Sequence, residues 1–270
     1  MIALPLADVV PGDLMQMSFR WVHFVAGVIW IGHLYFFNWV NAQLQPKLDA
    51  ETKKKVVPEL MPRALWWFRW GAAITWLTGV SLAMTQYYSH KSGLLLNVEP
   101  PREPAPSDWL LPFAGLFVGF LVYDVMFKML KTPMLRNIGT VVWGALAIGY
   151  GTMLETHHHF SHRAVFVHMG ALFGTAMAAN VWMRIWPAQK RIITAVKNGQ
   201  KPEDKDVAVA GLRSRHNTYM SVPLLLFMVS VDQGAFIGAD PWQYTAACVL
   251  LVGFLGTHLL YKLSAKVQGF

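Results

Sequence analysis

The sequence predicts an all-α integral membrane protein that forms a single domain, a bundle of about seven transmembrane helices over residues 1–270. Of its 270 residues, 54% are hydrophobic and only 14% are charged, whereas a soluble domain typically carries about 25% charged residues. Long charge-free stretches recur along the chain, and about 20 apolar residues cross a bilayer core about 30 Å thick. These features argue against a soluble enzyme and a disordered chain.

Charged residues bound most of the apolar stretches. In chain order, the bounding pairs are Arg20 and Lys47, Arg69 and Lys91, Arg136 and Glu155, Arg163 and Arg184, Arg215 and Asp232, and Asp240 and Lys262. One further apolar stretch runs from Trp109 to Tyr123 and continues through Asp124 and Lys128. Because Asp124 and Lys128 lie four residues apart on one helix face, we expect them to form an ion pair.

Helix-start signals refine these bounds. Ser161 and the pair Ser107-Asp108 are candidate N-caps, and Asp240 precedes a proline at a first-turn position. The predicted spans lie near residues 16–42, 66–89, 108–130, 136–155, 162–186, 216–233 and 241–263.

The distribution of Lys and Arg predicts the orientation of the bundle. Most of these 23 residues fall in segments 47–69, 128–136 and 184–215 or at the C-terminus, all on one side of the predicted membrane. The other side receives Arg20, Lys91, Arg102 and Arg163. Basic loops stay in the cytoplasm, so we expect a multi-pass membrane protein with its N-terminus outside and its C-terminus inside. The net charge of +8 therefore reflects topology and contact with the lipid bilayer. No nucleic-acid partner is expected.

Histidines recur at matching depths of the predicted helices. His23 and His168 each lie about 9 Å inside the outer boundary, whereas His33 and His258 lie near the inner leaflet and His216 at the cytoplasmic boundary. Facing histidines at one depth are what bis-imidazole haem ligation requires. The pattern predicts one or two b-type haems, with the iron held by His23 and His168 and by His33 and His258. The alternative is that these histidines only form hydrogen bonds between helices.

Three stretches of the chain resemble one protein family. WVHFVAGVIWIGHLYFFNWVNAQL (21–44), FSHRAVFVHMGALFGTAMAANVWMRIWPAQKRII (160–193) and RSRHNTYMSVPLLLFMVS (213–230) are similar to the membrane domain of the bacterial cytochrome c urate oxidases, and WWFRWGAAITWLTGV (66–80) is similar more weakly. In that family, a multi-span N-terminal domain precedes a C-terminal cytochrome c. The resemblance implies that urate or a related donor is oxidised and that a haem protein receives the electrons.

The resemblance also assigns residues. Positions that match the family's stretches are His23, Arg163, His168, Asn180, Arg215, His216 and Asn217, with His258 in a weaker match. The implied catalytic candidates are Arg163, Arg215, His216 and Asn217: the arginines and the amide bind an anion, and a histidine takes a proton. His33 stands where a small or hydroxyl residue is expected. The single cysteine, Cys248, leaves no Cys-x-x-Cys-His haem attachment, so we expect the acceptor to be a separate subunit.

Four hypotheses about function follow. The first is a b-type haem electron-transfer subunit that relays electrons between a donor protein or substrate and cytochrome c or the quinone pool, with a redox partner on the periplasmic side. The second is a membrane-bound urate or purine oxidase that passes electrons to a separate cytochrome c. The third is a non-redox membrane anchor. The fourth is a transporter, although no pair of broken helices marks a midplane site.

Overall fold

The computed structural model describes residues 11–89 and 93–268, and in these ranges the regular structure is helical. Leu96 and Phe160 form an isolated antiparallel bridge, and no described residue belongs to a β-strand. The helices are α1 (Pro11–Tyr35), α2 (Ala42–Leu44), α3 (Ala50–Gln86), α4 (Pro106–Met129), α5 (Pro133–His158), α6 (His162–Asn180), α7 (Trp186–Lys197), α8 (Asp204–Val229), α9 (Gly234–Ile237) and α10 (Trp242–Ser264). The all-α prediction is confirmed.

Two of the long helices contain a π-helical turn. Helix α1 continues through the π turn Phe36–Asn41 into α2, and α6 continues through the π turn Val181–Ile185 into α7. Each composite helix is 36 residues long, over Gly12–Lys47 and His162–Lys197. A π turn adds one residue to a helical turn, and such turns often occur at functional sites.

Within the described residues, five helical stretches are long and apolar enough to cross a membrane. They are Gly12–Lys47, Pro106–Met129, Pro133–His158, His162–Lys197 and Trp242–Ser264. They contain the first, third, fourth, fifth and seventh predicted spans. The predicted spans 66–89 and 216–233 lie on α3 and α8, which are also long helices but are less apolar: α3 begins with a charged segment, and α8 begins with charged residues from Asp204 to Arg215. Helix α3 also ends at Gln86, before the predicted limit.

The N-cap predictions have mixed outcomes. Ser161 caps α6, because its hydroxyl oxygen accepts a hydrogen bond from the Ala164 backbone N–H at 3.2 Å. Asp108 instead lies in the first turn of α4, where its carboxylate accepts a hydrogen bond from the Ala105 N–H at 2.8 Å. Asp240 does not cap α10, since that helix begins at Trp242 and has no side-chain cap.

Helix α6 is the central helix of the bundle. In its most apolar window 78% of the residues are buried, compared with 17–33% for the other four candidate spans. It packs against α3, α4, α5 and α8, while α1 packs on α3 and α10 packs on α5 and α8. Exposed apolar side chains cover the outer helices, for example Val25 on α1 and Leu251 on α10. An apolar exterior around a packed core suits a hydrocarbon solvent.

Helices α1 and α3 approach closely at a glycine. A Cβ at Gly71 would lie 3.0 Å from the backbone nitrogen of Trp30. Only the absence of a side chain allows the two backbones to meet there, as is common where membrane helices pack. This contact fixes α1 against α3 and thereby sets which face of α1 turns toward α8.

Candidate functional site

A cluster of polar side chains lies in the core where α4, α8 and the end of α6 meet. We call it the Tyr123 cluster, and its members are Tyr123, Asp124, Asn180, Arg213, His216 and Asn217. All are buried except His216, which is partly exposed. Polar side chains inside a membrane bundle are costly and tend to be functional. The cluster also adjoins the π turn that follows Asn180.

Hydrogen bonds connect four members of the cluster in a chain. Asn217 Nδ2 donates to the Met177 carbonyl at 3.0 Å, and Asn180 Nδ2 donates to Asn217 Oδ1 at 2.9 Å and to Tyr123 Oη at 3.0 Å. Tyr123 Oη also lies 2.9 Å from His216 Nδ1. The phenol oxygen can accept a second hydrogen bond as well as donate one, so the tautomer of His216 decides which of the two atoms is the donor. The chain therefore leads from two buried amides to a partly exposed imidazole.

The carboxylate of Asp124 forms ion pairs with cations in and next to the cluster. Its carboxylate accepts hydrogen bonds from Arg184 Nε at 2.9 Å and Arg213 Nη2 at 2.9 Å, and Lys128 Nζ lies 2.7 Å away. The predicted ion pair between Asp124 and Lys128 is confirmed. Arg184 and Arg213 join it because α6, its π turn and α8 converge on the same point of α4. Three cations around one carboxylate leave an excess of positive charge, and the Arg213 guanidinium also lies 4.9 Å from the centre of the Tyr123 ring.

Several polar atoms near Tyr123 lack a partner. In the described part of the chain, five buried side-chain atoms make no hydrogen bond: Trp30 Nε1, Trp39 Nε1, Trp143 Nε1, Asn180 Oδ1 and Arg213 Nη1. Asn180 and Arg213 belong to the cluster, and the Trp143 ring lies 5.3 Å from that of Tyr123. Buried polar groups are nearly always hydrogen-bonded, so unpartnered ones call for an explanation. The cluster thus has an acceptor and donors available for a molecule that offers both.

The outer histidines do not face each other across a common space. His168 is 1% exposed; its Nδ1 donates to the Ala164 carbonyl at 2.7 Å, and its Nε2 lies 2.5 Å from Tyr88 Oη. His23 Nδ1 lies 3.2 Å from Thr78 Oγ1.

The positions of His23 and His168 along the bundle axis also differ. Trp76 donates to Thr175 at 3.1 Å, which aligns α3 with α6. His168 lies seven residues from Thr175, about 10 Å along α6, whereas Thr78, the partner of His23, lies within one turn of Trp76. The two imidazoles therefore belong to different depths of the bundle, in contrast to the depth matching predicted from the sequence.

The inner histidines also have separate surroundings. His33 Nδ1 donates to the Ile29 carbonyl at 2.7 Å, and His258 Nδ1 lies 3.2 Å from Tyr219 Oη. Tyr35 bonds Ser221 of α8 at 3.0 Å. Since Tyr35 lies two residues after His33, about 200° around the helix, His33 is directed away from α8. His33 and His258 therefore do not approach one iron position.

These contacts test the fit of a b-type haem. Two imidazole nitrogens must reach one iron from opposite faces, and neither predicted pair has that arrangement. Within residues 11–89 and 93–268, no group of three or more His, Cys, Asp or Glu side chains is placed to hold a metal ion. A site made by two histidines alone is not such a group, and b-type haem binding by these residues stays a prediction.

The predicted catalytic residues divide between the two ends of the bundle. His216 and Asn217 lie in the Tyr123 cluster, together with Asn180. Arg163 lies in the first turn of α6, where it pairs with Asp232, about 26 Å along the helix from Asn180. Arg215 is exposed, and its guanidinium lies 5.2 Å from the centre of the Tyr261 ring. The structure therefore brings together only part of the predicted set.

Sequence reasoning missed three members of the site and its surroundings: Tyr123, Arg213 and Arg184. Arg213 lies in the same RSRHN segment as His216, and it shares their helix face because residues 213, 216 and 217 are three and four apart. Tyr123 directly precedes Asp124. The helical spacing was thus a signal that could have identified Arg213, whereas Tyr123 becomes apparent only from packing.

The comparisons with known proteins agree with this architecture. A family model described as urate oxidase N-terminal matches residues 10–57 and 50–268. Neither the curated proteins nor the solved structures gave a match. Because the matched residues cover most of the sequence, the chain belongs to the urate oxidase N-terminal family.

Proposed function

We propose that this protein is a membrane-embedded oxidoreductase that binds urate or a related purine at the Tyr123 cluster and transfers electrons to a separate acceptor. The observation that carries the proposal is the pair of unpartnered buried atoms, Asn180 Oδ1 and Arg213 Nη1, on two residues that both contact Tyr123. Family membership supports the same substrate class.

The chemistry of a purine complements these atoms. An oxidised purine has lactam edges on which an N–H group and a carbonyl oxygen stand side by side. Asn180 Oδ1 accepts from such an N–H, and Arg213 Nη1 donates to the oxygen. Urate is an anion at neutral pH, and the cations around Asp124 exceed the charge of its carboxylate. A neutral or cationic ligand would not balance that charge.

The oxidation also requires acceptors for the protons and the electrons that the purine loses. When urate is hydroxylated with water, it loses two electrons and two protons. Tyr123 Oη lies within hydrogen-bond distance of His216 Nδ1, so in the tautomer that leaves Nδ1 unprotonated the phenol can pass its proton to the imidazole and take a new one from the substrate side. A one-electron acceptor takes up these electrons in two equivalents. A c-type cytochrome on the periplasmic side, supplied as a separate protein, is the partner we propose.

We further propose the topology in which this chemistry takes place. The chain crosses the bacterial inner membrane seven times, with α3 and α8 as the second and sixth spans. Its N-terminus is outside and its C-terminus is in the cytoplasm. The concentration of Lys and Arg in segments 47–69, 128–136 and 184–215 supports this orientation. The Tyr123 cluster then lies toward the cytoplasmic side, and His216 is the exit for protons.

The proposal is tested with purified protein in liposomes by following urate consumption and the reduction of added oxidised cytochrome c. We expect two cytochromes reduced per urate. Asn180→Asp introduces a negative charge beside the anion and removes the amide donors, so we expect at least about a 100-fold loss of turnover.

The matched control is Asn41→Asp, because Asn41 is also a buried amide but lies outside the cluster. Unchanged activity in Asn180→Asp, or no urate-dependent reduction by the wild type, contradicts the proposal. A b-type band in a reduced-minus-oxidised spectrum of the purified protein would instead support the haem subunit predicted from the histidines.

A further inference from the structure

A groove opens on the surface between α1 and α3, on helices that do not contribute to the Tyr123 cluster. Its volume is about 510 Å³, within the range of small-molecule sites. Gly32 lies in this α1–α3 groove, and a Cβ at position 32 would meet nothing within 4 Å. A side chain added there would therefore extend into the groove without a backbone clash.

His33 supplies a polar group to the groove. Its Nδ1 donates to the Ile29 carbonyl at 2.7 Å, because a carbonyl oxygen can only accept. The neutral imidazole therefore presents Nε2 as an acceptor, and the protonated imidazolium presents it as a donor. No other hydrogen bond to His33 occurs within the described residues.

Arg63 lies in the same groove but brings no net charge. Its Nη1 pairs with Glu59 Oε2 at 2.6 Å, four residues earlier on α3. The remaining walls are largely apolar and include the aromatic side chains Phe36 and Trp67. Trp67 is 51% exposed and Val28 is 59% exposed, so the groove is open along its side toward the surrounding hydrocarbon.

We propose that the α1–α3 groove binds the head group of an isoprenoid quinone. A quinone ring is planar, uncharged and apolar on its faces, which suits the contacts with Phe36 and Trp67. In its reduced form, a ring hydroxyl donates a hydrogen bond to the neutral His33 Nε2, and its tail leaves through the open side into the bilayer. Because Arg63 already pairs with Glu59, a phospholipid phosphate would have to compete with that carboxylate for the guanidinium.

The stoichiometry of a quinone also matches the oxidation, a point that rests on the proposed function. Urate releases two electrons and two protons, and a quinone takes up two of each to become the quinol. The exchange of two electrons and two protons therefore balances without another redox reagent. In the quinol that forms, a ring O–H group donates a hydrogen bond to His33 Nε2.

The test labels the protein in nanodiscs with a photoreactive azido-quinone in the absence of any purine, followed by peptide mapping. We expect the label in peptides that contain residues 28–36 and 60–67, with competition by decylubiquinone. Gly32→Leu fills the groove, and we expect it to reduce labelling about tenfold. The control is Gly149→Leu, an exposed glycine on α5 that also has nothing within 4 Å of its Cβ, and it should label as the wild type does.

Label that spreads evenly over the exposed apolar faces contradicts the proposal, as does a Gly32→Leu protein that labels like the wild type. Competition by phosphatidylglycerol but not by decylubiquinone would identify a lipid head-group site and also overturn it. If a poorly folded Gly32→Leu protein prevents that comparison, competition by decylubiquinone in the wild type remains the deciding measurement. Because no purine is present, the outcome is independent of whether the protein oxidises urate.

Discussion

Two tyrosine–histidine pairs lie inside this bundle, and their surroundings differ. In the pair of Tyr88 and His168, both imidazole nitrogens are bonded and the ring is 1% exposed. In the pair of Tyr123 and His216, the phenol links the imidazole to Asn180, which keeps an unpartnered oxygen. The first pair is complete without a ligand, whereas the second is part of a network with free donors and acceptors. Burial of a histidine alone is therefore a poor guide to function, and incomplete hydrogen bonding is a better one.

The largest effect is expected from neutralising the carboxylate of the Tyr123 cluster. Asp124→Asn leaves Arg213, which is 3% exposed, as a buried cation without an anion, and we expect a loss of about 3 kcal/mol of stability. The measurement is denaturant or thermal unfolding in detergent. The control Glu51→Gln breaks an exposed pair with Lys55 and should cost less than about 0.5 kcal/mol. Equal effects of the two substitutions would show that the cluster does not depend on this charge.

The second effect separates the two tyrosines. Tyr123→Phe removes the hydroxyl that connects Asn180 to His216, and we expect turnover of urate to fall about 100-fold while KM changes little. Tyr88→Phe removes the matching hydroxyl from the complete pair and should leave turnover unchanged. A large fall in both variants, or in neither, would remove the functional difference between the two pairs.

The third effect concerns the pair of Tyr88 and His168, in which both imidazole nitrogens are bonded. His168→Leu leaves the Tyr88 hydroxyl and the Ala164 carbonyl without their partners, so we expect a loss of about 2 kcal/mol in stability. The affinity for urate should remain that of the wild type. Equilibrium unfolding and urate binding on the same preparation give both quantities. Loss of urate affinity in a folded variant would place the substrate at the outer end of the bundle.

The smallest effect is expected from an ion pair outside the predicted spans. Its size can be compared with the effects expected at the two tyrosine–histidine pairs. Arg191 bonds Asp206 through Nε at 2.8 Å and Nη2 at 2.6 Å, and this guanidinium holds the pKa of Asp206 below its ordinary range. The pair therefore stabilises the fold above the ordinary Asp pKa of about 3.9, and its contribution is lost as pH falls through the lower pKa of the folded state.

The test compares the unfolding temperature of the wild type and Asp206→Asn between pH 6 and pH 3. We expect a small additional loss in the wild type, since the Arg191 side chain is largely exposed. Parallel pH profiles for the two proteins would show that the pair contributes nothing measurable.

The sequence could predict the positions of the helices, but it could not predict the direction in which their histidine side chains point. Each of the seven predicted spans overlaps a long helix, although 66–89 and 216–233 run past the ends of α3 and α8. Lengths of apolar sequence are a local property of the chain. The depth of a histidine is local too, but the direction of its ring depends on helix rotation and on neighbouring helices. His33 is the clearest case: Tyr35, two residues later, contacts α8, and this contact directs His33 to α3 instead.

The ion pair between Asp124 and Lys128 was predictable because both residues lie on one helix. The contributions of Arg184 and Arg213 were not, since each comes from a different helix. Tyr123 could not be identified from sequence either, because its role depends on the simultaneous approach of Asn180, Arg213 and His216. Membership of a site that joins three helices is a property of packing.

The most direct test of the Tyr123 cluster as the purine site is the binding of urate to purified wild type, Arg213→Lys and Arg163→Lys, measured at equilibrium. Lysine keeps the charge at position 213 but cannot reproduce the donor fork of arginine. The account predicts saturable binding to the wild type, about tenfold weaker binding to Arg213→Lys, and unchanged binding to Arg163→Lys. Unaltered affinity in a folded Arg213→Lys protein together with lost affinity in Arg163→Lys would contradict it.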